Sequence, residues 1–474
     1  MQVQRIDCTN GINNRRNYQN QQNFKGTVGP LYSVTMRPGK VSTYFREFGH
    51  IDITKYGKLF FNALKAVGDR EGFLVNFQKL DGHLSTNAEE IKPGNIDKEP
   101  SCWAQDNAIV ICDRNGNPII LENGLVRETE ENFAKTYAED SGMRFKKMYS
   151  RADGGNTYFG VTADGERYIL IGRNAIDDTA LKIVLDQQGI KLESLLEASN
   201  GTVGVDFQGE KYYTSIDDIE NGKISEDLPD ALKQNAAIAM ENLRKNPEKL
   251  HAEALNKLAE DFEMDTDQIR VVSSPEFHID MFMRPIDDKT ILVNDPELTK
   301  KELNAQLENS ILQERNNEIR KLIARVDEFE NQRVNKKGFA SMEKIIEELK
   351  GLGYENIIRV PGVFDNGSTN YLNAFVHKKE NGEYVYITNA GIGSNNGLDL
   401  NGIFRDVLKS SPLKIQTCYC LGGGDESHMI SEIIGEDKVD RDFIVHNINL
   451  LLLLENGGFH CSGLDRSVYP KVVR

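Results

Sequence analysis

The sequence lacks any apolar run long enough to cross a membrane. A membrane-spanning helix needs about 20 apolar residues in succession, and no uninterrupted run approaches that length. Residues 1–28 are rich in asparagine and glutamine and contain no apolar segment of the kind that a secretory signal requires. We therefore expect residues 1–28 to form a flexible tail, and we expect a cytoplasmic protein with no membrane partner.

Cysteine is also scarce, with six residues in 474. No pair has the Cys-x-x-Cys spacing, and Cys418 and Cys420 have no second cluster with which they could form a zinc site. We predict free thiols in a reducing compartment. The acidic loops leave calcium open as a ligand, but the chain has no EF-hand pattern, so neither a metal nor a cofactor is predicted.

Basic residues are too few to balance the acidic ones, and the net charge is −16 at pH 7. A protein that binds nucleic acid presents a basic surface, so no nucleic-acid partner is expected. The negative charge is compatible with a cationic substrate. The hydrophobic fraction of 39% is ordinary for a globular protein, and a chain of this length can bury a large core. The sequence leaves the oligomeric state open.

A pattern of strand, tight turn and strand recurs four times along the chain. Each turn contains Asn-Gly, Asp-Gly or Asp-Asp and lies between runs rich in β-branched and aromatic residues, which predicts β-hairpins. The predicted hairpins pair residues 108–112 with 119–121, 158–161 with 168–171, 279–285 with 290–293, and 373–376 with 384–387. Helical patterns separate them, so the sequence predicts an internally repeated α/β fold.

Helices are predicted where apolar residues recur at helical spacing. Two begin at or just after prolines and run from Pro229 to about residue 244 and from Pro247 to about residue 263. A long charged helix is predicted from Pro296 to about residue 331. A shorter helix over 341–349 leads into a strand over 356–360.

Four short motifs contain residues that are able to perform chemistry. They are Trp103-Ala104-Gln105-Asp106, Asp153-Gly154-Gly155-Asn156, His278-Ile279-Asp280 and Gly457-Gly458-Phe459-His460-Cys461. Taken singly, each has a plainer interpretation: a core tryptophan, a tight turn, a surface His–Asp pair and an inert thiol. Together they supply a nucleophile, a proton carrier and carboxylates, which suits a cysteine hydrolase that acts on a cation.

Two of these motifs are expected at strands. Cys461 follows the apolar run 450–454, which predicts a buried strand, and the carboxyl end of a strand is a usual place for reactive groups in α/β folds. In a strand, His278 and Asp280 would share one face because side chains alternate.

In their order along the chain, the four motifs resemble those of the guanidine-modifying enzymes, the pentein superfamily. Trp-x-Gln-Asp at 103–106 and His-x-Asp-x-Phe at 278–282 are similar to the peptidylarginine deiminase form, whereas Gly-Gly-x-His-Cys at 457–461 is similar to the agmatine deiminase form. The resemblance spans residues 100 to 465 through short motifs. Asp153 stands where agmatine deiminases have glutamate, and the residues that follow Cys461 match neither form.

The resemblance implies a fold as well as a chemistry. The fold would be a five-module α/β propeller in a single catalytic domain over residues 29–474, with helical insertions near 175–270 and 296–335. The chemistry would be hydrolysis of a guanidinium to a ureido product and ammonia, through a covalent thiouronium intermediate and without a cofactor.

The resemblance also assigns roles to the motif residues. Cys461 would attack the guanidinium carbon, and His278 would protonate the departing ammonia and then activate water. Asp106 and Asp280 would hold the guanidinium. The side chains expected against the rest of the substrate are Trp103, Asp153 and Asn156.

Several substrates and activities stay open at this stage. Arginine, agmatine and an arginyl-protein are all compatible partners, and the Trp-x-Gln-Asp form favours peptidyl-arginine slightly. An amidinotransferase or a dihydrolase of the same fold could use the same cysteine. A non-catalytic binding protein on this scaffold is the alternative from another class, although the presence of all four candidate catalytic residues favours an enzyme.

Overall fold

The computed structural model of the protein describes residues 29–37, 53–91, 104–196, 202–275, 278–309, 313–335, 340–362, 370–389, 400–421 and 463–468. Three predicted features lie outside these residues: the tail over 1–28, the apolar run over 450–454, and the side chains of Trp103 and Cys461.

Helices and strands alternate along the described residues. The helices are α1 (Ile53–Glu71), α2 (Ala104–Asn107), α3 (Phe133–Ser141), α4 (Arg173–Gln187), α5 (Ile216–Asn221), α6 (Asp230–Lys245), α7 (Pro247–Phe262), α8 (Pro296–Asn309), α9 (Gln313–Asn335), α10 (Met342–Gly351) and α11 (Leu400–Ser410). The first strands are β1 (Leu31–Met36), β2 (Leu74–Gln78), β3 (Leu84–Ser85), β4 (Ala108–Cys112), β5 (Pro118–Glu122), β6 (Arg144–Lys147), β7 (Thr157–Val161), β8 (Arg167–Gly172), β9 (Ile190–Leu195) and β10 (Thr202–Phe207). The remaining strands are β11 (Glu210–Ser215), β12 (Ile269–Val272), β13 (Met283–Pro285), β14 (Thr290–Asn294), β15 (Asn356–Val360), β16 (Phe375–Lys378), β17 (Tyr384–Asn389), β18 (Thr417–Leu421) and β19 (Gly463–Ser467). Every helix in this part of the chain is too short or too polar to cross a membrane.

Four three-stranded sheets share one arrangement. An antiparallel hairpin supplies the first and central strands, and a later strand pairs in parallel with the central one. These sheets are β4-β5-β6, β7-β8-β12, β13-β14-β15 and β16-β17-β18. The four predicted hairpins are confirmed, and turn glycines at Gly116, Gly165 and Gly382 adopt the positive φ that glycine accepts without steric cost. The mixed α/β architecture with several small sheets is therefore confirmed.

A further sheet contains this arrangement in strands β19, β1 and β2, and has a fourth strand, β3, which pairs antiparallel with β2. Strand β1 pairs antiparallel with β19, from Leu31 opposite Ser467 to Met36 opposite Gly463, and pairs in parallel with β2. Here β1 is the central strand and β19 takes the place of the first hairpin strand. This pairing leaves no pattern in the sequence, because the two strands are too far apart to be joined by a turn.

The segment 175–270, predicted as a helical insertion, contains helices α4 to α7 and also a sheet. Strands β9, β10 and β11 form an antiparallel meander, which differs from the repeated arrangement. The β10–β11 turn has positive φ at both Gln208 and Gly209, the geometry of the tight turns that connect hairpin strands. Gln-Gly is a weaker hairpin pattern than Asn-Gly, which is why this sheet was missed.

The single long helix predicted from Pro296 is wrong. The structure has two helices there, α8 and α9, which contact each other. Lys300 on α8 and Asp327 on α9 form an ion pair with a Nζ–Oδ1 distance of 3.0 Å. In one continuous helix these residues would lie about 40 Å apart. Apolar residues of both helices, Leu303 and Ile319 among them, pack into a shared core.

The central strands occupy the core, and this arrangement decides where polar groups can lie. Every residue of β8, β14 and β17 is buried, as expected for strands covered on both faces. Polar residues instead occupy the positions just before or at the start of the first strands. These are Asp106 before β4, Asn156 before β7, Asp280 before β13 and Asn373 before β16, while the fifth such strand, β19, begins at Gly463. The corresponding position in each sheet is therefore where a site can form.

Candidate functional site

Turns from distant parts of the chain meet at these strand starts. Helix α2 contacts both the 3₁₀ turn Gly154–Asn156 and strand β19, and the turn Gly154–Asn156 contacts a second 3₁₀ turn, Ile279–Met281. The Gln105 side chain fixes one of these contacts, because its Nε2 donates a hydrogen bond to the carbonyl of Gly463 at 3.0 Å. Described residues of the motifs at 103–106, 153–156 and 278–280 thus come together. Gly463, the described residue nearest to the fourth motif, lies beside them.

A partly buried ion pair between His278 and Asp153 lies at the centre of this cluster, with the two side chains 12% and 26% exposed. The imidazole Nε2 is 3.1 Å from Asp153 Oδ1. The same carboxylate oxygen caps its own turn by accepting a hydrogen bond from the backbone N–H of Asn156 at 2.9 Å. The sequence placed Asp153 and Asn156 in one motif and His278 in another, but it did not indicate that Asp153 pairs with His278.

The surroundings of this pair shift the pKa of each partner. Burial by itself lowers the pKa of His278, but the charge of Asp153, its hydrogen bond, and the charges of Asp106 and Asp280 outweigh burial and raise the pKa to about 10. For Asp153, burial acts to raise the pKa, and the charge and hydrogen bond of His278 reverse this and lower it. His278 is therefore an imidazolium, and Asp153 a carboxylate, at neutral pH.

The strand predicted over His278 and Asp280 is wrong. His278 has extended backbone, but residues 279–281 form the 3₁₀ turn, and β13 begins only at Met283. Two factors explain the error. Polar and apolar residues alternate in the motif, as they do in a strand, and the motif leads directly into the hairpin β13–β14. The turn still brings both side chains to the cluster, since the charge of Asp280 acts on His278.

Asp280 is completely buried. Its Oδ2 accepts a hydrogen bond from Asn373 Nδ2 at 2.8 Å. Asn373 is itself held in place, because its backbone N–H donates to the Asn370 side chain at 3.2 Å. A buried carboxylate needs such polar partners to avoid the cost of desolvation. Asn373 was not predicted as a site residue, although it lies shortly before β16 as Asp280 lies shortly before β13.

Asp106 is paired with an internal arginine that the sequence analysis also missed. Arg127 Nη2 lies 2.6 Å from Asp106 Oδ2, and Arg127 Nη1 lies 3.2 Å from Glu130 Oε1. The Asp106 side chain remains 24% exposed, whereas that of Arg127 is 8% exposed. Asn123 holds the backbone by donating from Nδ2 to the Asp106 carbonyl at 3.1 Å. One oxygen of the Asp106 carboxylate is therefore occupied by an arginine of the chain itself.

The two glycines of the Asp-Gly-Gly-Asn turn are required by close approach. A β-carbon added at Gly154 would lie 1.8 Å from Gln105 Oε1, and one added at Gly155 would lie 2.3 Å from His278 Nδ1. The imidazole therefore lies directly against the backbone of this turn. Glycine permits this approach because it has no side chain, so the turn forms one wall of the site.

Comparison with solved structures finds several matches, among them an agmatine deiminase and an arginine dihydrolase. No family model and no curated protein matches the chain. An agmatine deiminase of C. jejuni shares 13% sequence identity, with a TM-score of 0.42, over 93% of this chain and 95% of that protein. ArgZ, an arginine dihydrolase of cyanobacteria, shares 11% identity, with a TM-score of 0.34, over 94% of this chain and 40% of that protein. The chain thus spans less than half of the length of ArgZ.

Both structures come from the superfamily that the sequence motifs resemble. At these identities and TM-scores, however, what the protein does is inferred from the residues of the site. Within the described ranges, no group of three His, Cys, Asp or Glu side chains is arranged to hold a metal ion. The chemistry that the described cluster offers is a fixed imidazolium together with carboxylates that can bind a cation.

Replacing Gly155 with alanine should separate His278 from Asp153. The new β-carbon would overlap the imidazole ring, so the ring must move away from the turn. We expect the pKa of His278 to fall from about 10 toward its ordinary value and the free energy of unfolding to drop by about 1–3 kcal/mol. Histidine-selective NMR titration and urea unfolding measure the two effects.

Gly351→Ala is the matched control, because no atom lies within 4 Å of a β-carbon added there and its φ is not positive. This variant should change the free energy of unfolding by less than about 1 kcal/mol. A Gly155→Ala protein with an unshifted His278 titration and wild-type stability would contradict the placement of the ring against the turn.

Proposed function

We propose that the protein is a cysteine-dependent hydrolase that converts the guanidinium of arginine, or of an arginine-like group, into a ureido group and ammonia. The observation that carries the proposal is the partly buried His278–Asp153 pair, with the charges of Asp106 and Asp280 acting on the same imidazole. A proton donor that stays charged at neutral pH, surrounded by carboxylates, suits a cationic substrate that loses ammonia.

Recognition of the guanidinium is assigned to Asp106 and Asp280. A guanidinium is planar and has N–H groups on every side, so carboxylates at different edges can fix the position of its central carbon. The net charge of −16 makes the protein as a whole attractive to a cation. Trp103 and Asn156 are assigned to the rest of the substrate, and Trp103 lies outside the described residues.

Cys461 is assigned as the nucleophile. It also lies outside the described residues, but it stands two residues before Gly463, which begins β19. Asp106 stands two residues before β4, so the two residues occupy corresponding sequence positions at their strands. The Gly463 carbonyl also accepts a hydrogen bond from the side chain of Gln105, the neighbour of Asp106. Both observations support a thiol that the chain brings to this cluster.

The proposed reaction then follows from the roles of these groups. The Cys461 thiolate forms a bond to the guanidinium carbon, and the C–N bond to the departing nitrogen breaks as the His278 imidazolium donates its proton, which releases ammonia. The neutral imidazole next takes a proton from water, which adds to the thiouronium carbon. Loss of the thiolate, with the proton of the added hydroxyl group passing to solvent, leaves the ureido product and restores the enzyme. This cycle requires neither a metal nor a cofactor.

We also propose that the site lies on the axis of a five-module α/β propeller. Support comes from the five described sheets that contain the same strand arrangement and from the polar residues just before four of the first strands. In this architecture the segments near 175–270 and 296–335 are insertions within one catalytic domain. The scarcity of cysteine supports a reducing, cytoplasmic setting.

Ureido-product colorimetry and ammonia release on arginine, agmatine and an arginyl peptide test the proposal. At least one of the three should give both products in equal amounts, and chelation of calcium should leave the rate unchanged. If the folded protein produces no ureido group from any of the three compounds, the proposal is wrong and a non-catalytic binding protein is favoured. Transfer to an added amine without ammonia would identify an amidinotransferase instead, and two molecules of ammonia per substrate a dihydrolase.

A further inference from the structure

Arg127 occupies the carboxylate that the proposed function assigns to the substrate. Its Nη2 lies 2.6 Å from Asp106 Oδ2, a distance typical of a strong charge-assisted hydrogen bond. A guanidinium of the protein therefore lies on the same carboxylate that is to receive the guanidinium of the substrate. Either the substrate displaces Arg127, or Arg127 stays and leaves only part of Asp106 available.

On the side away from Asp106, the Arg127 guanidinium contacts a series of buried polar side chains. Its Nη1 lies 3.2 Å from Glu130 Oε1, and Arg37 Nη1 lies 3.3 Å from the same oxygen. Arg37 in turn binds Gln78 Oε1 and lies over the ring of Phe133 at 5.0 Å. The side chains of Glu130 and Arg37 are 1% and 2% exposed. Movement of Arg127 would leave a buried carboxylate with one partner fewer, which is costly.

The backbone at Arg127 is held as well. The preceding residue, Val126, accepts a hydrogen bond from the N–H of Leu195 at 2.9 Å, and Arg127 forms a bridge to Leu195 in strand β9. Arg127 also begins the 3₁₀ turn Glu128–Glu130. The sheet β9–β11, which lies outside the repeated arrangement, thus braces the loop that presents this arginine.

We infer that Arg127 is a positioning residue, which fixes the Asp106 carboxylate so that only Oδ1 is offered to the substrate guanidinium. The inference rests on the proposed function and refines it. Asp106 would make one directed contact rather than a bidentate one, and the second carboxylate contact would come from Asp280. Because its guanidinium is paired with Glu130 and its backbone is bridged to Leu195, Arg127 stays on Asp106 when the substrate binds.

Three variants and one small molecule test this role. Arg127→Ala frees the Asp106 carboxylate to rotate, and we expect kcat to fall about tenfold with a smaller change in KM, because the loss is one of orientation. Arg127→Lys keeps the positive charge but loses the planar guanidinium that contacts Asp106 and Glu130 at the same time. Its kcat should therefore lie between those of the wild type and the alanine variant. Glu130→Gln weakens the support of Arg127 and should act in the same direction to a smaller degree.

Free guanidinium ion at millimolar concentration gives the most selective readout. In Arg127→Ala it can fill the vacated space and hold Asp106, so it should raise kcat severalfold. In the wild type the same ion can only compete with the substrate, so it should inhibit. A role for Arg127 in general stability would not produce opposite responses to one ion. The matched control is Arg144→Ala, which removes an ion pair of the same 2.6 Å length with Glu263 on the surface and should leave both kcat and guanidinium inhibition unchanged.

The outcomes separate this inference from the proposed function. An active wild type whose Arg127→Ala variant keeps its full kcat, or gains affinity for the substrate, would show that Arg127 is a displaceable occupant and would overturn the inference alone. Inhibition of Arg127→Ala by guanidinium would overturn it as well. A wild type that is inactive on every guanidino compound overturns both. Should the alanine variant fail to fold, the kcat values of Arg127→Lys and Glu130→Gln decide, and wild-type values in both contradict the inference.

Discussion

Replacement of Cys461 with alanine should abolish turnover while leaving the folded protein able to bind a guanidino substrate. Removal of a catalytic nucleophile costs about 10⁴-fold or more in kcat, because the covalent route is lost. Recognition is assigned to Asp106 and Asp280, which the substitution does not touch. We therefore expect calorimetric binding of arginine, agmatine or an arginyl peptide to persist in Cys461→Ala, with ureido product at the level of the blank.

A second cysteine supplies the control for this prediction. Cys112 is buried, and burial raises the pKa of its thiol to about 12, so it is not a thiolate at neutral pH. Cys112→Ala should keep wild-type turnover. Residual activity in Cys461→Ala near the wild-type level would remove the nucleophile assignment, and loss of binding together with turnover would place Cys461 in substrate recognition instead.

Replacement of Asp153 with asparagine should move the alkaline limit of activity by several pH units. Asp153 is the largest contributor among those that raise the pKa of His278 to about 10. Without that carboxylate, the pKa should return toward its ordinary value of about 6.5. If His278 must be protonated to release ammonia, kcat at pH 8.5 should fall about 100-fold relative to the wild type, and by much less at pH 6.

The same pair makes the stability of the protein depend on pH with a defined sign. The pKa of His278 is raised by folding, so its contribution to the free energy of unfolding is complete below about pH 6.5 and is lost as the pH rises through about 10. The pKa of Asp153 is lowered by folding, so its contribution is present above its ordinary pKa and is lost as the pH falls through the folded value. Asp153→Asn should flatten the alkaline decline.

Asp177 and His251 form the matched pair for this experiment. Their Nε2–Oδ1 distance is also 3.1 Å, but the histidine and aspartate side chains are 33% and 52% exposed. Asp177→Asn should leave the pH–rate profile unchanged. An Asp153→Asn enzyme that keeps the wild-type alkaline limit would show that the protonation of His278 does not control the reaction.

The sequence predicted the parts of the fold that local chemistry determines. The four hairpins follow from β-rich runs around tight turns, and strand β15 begins and ends where predicted. The errors arise where local pattern gives no information. The segment between α8 and α9 contains neither glycine nor proline, so the sequence gives no signal that the helix ends there. The β1–β19 pairing has no local pattern at all.

The candidate site shows the same division. Asp106, Asp153, His278 and Asp280 were named from their motifs, and the charges of the three carboxylates act on the His278 imidazole. Arg127 and Asn373 were not predicted, because neither belongs to a motif. Arg127 pairs with Asp106 and Asn373 pairs with Asp280, and only the folded chain brings these partners together. Residue types at fixed spacing indicate which chemistry is available, whereas the partners that tune each group are decided by tertiary packing.

The pairing of β1 with β19 also has a consequence for biosynthesis. Strand β1 emerges early, but its antiparallel partner is made only when residues 463–467 are translated. At about 5–20 residues per second, the ribosome needs roughly 20–90 s to cover that distance. Throughout this time one edge of β1 is unpaired and open to other strands. Since Gly463 accepts a hydrogen bond from Gln105, the residue beside Asp106, the cluster around Asp106 cannot be completed before residue 463 is translated.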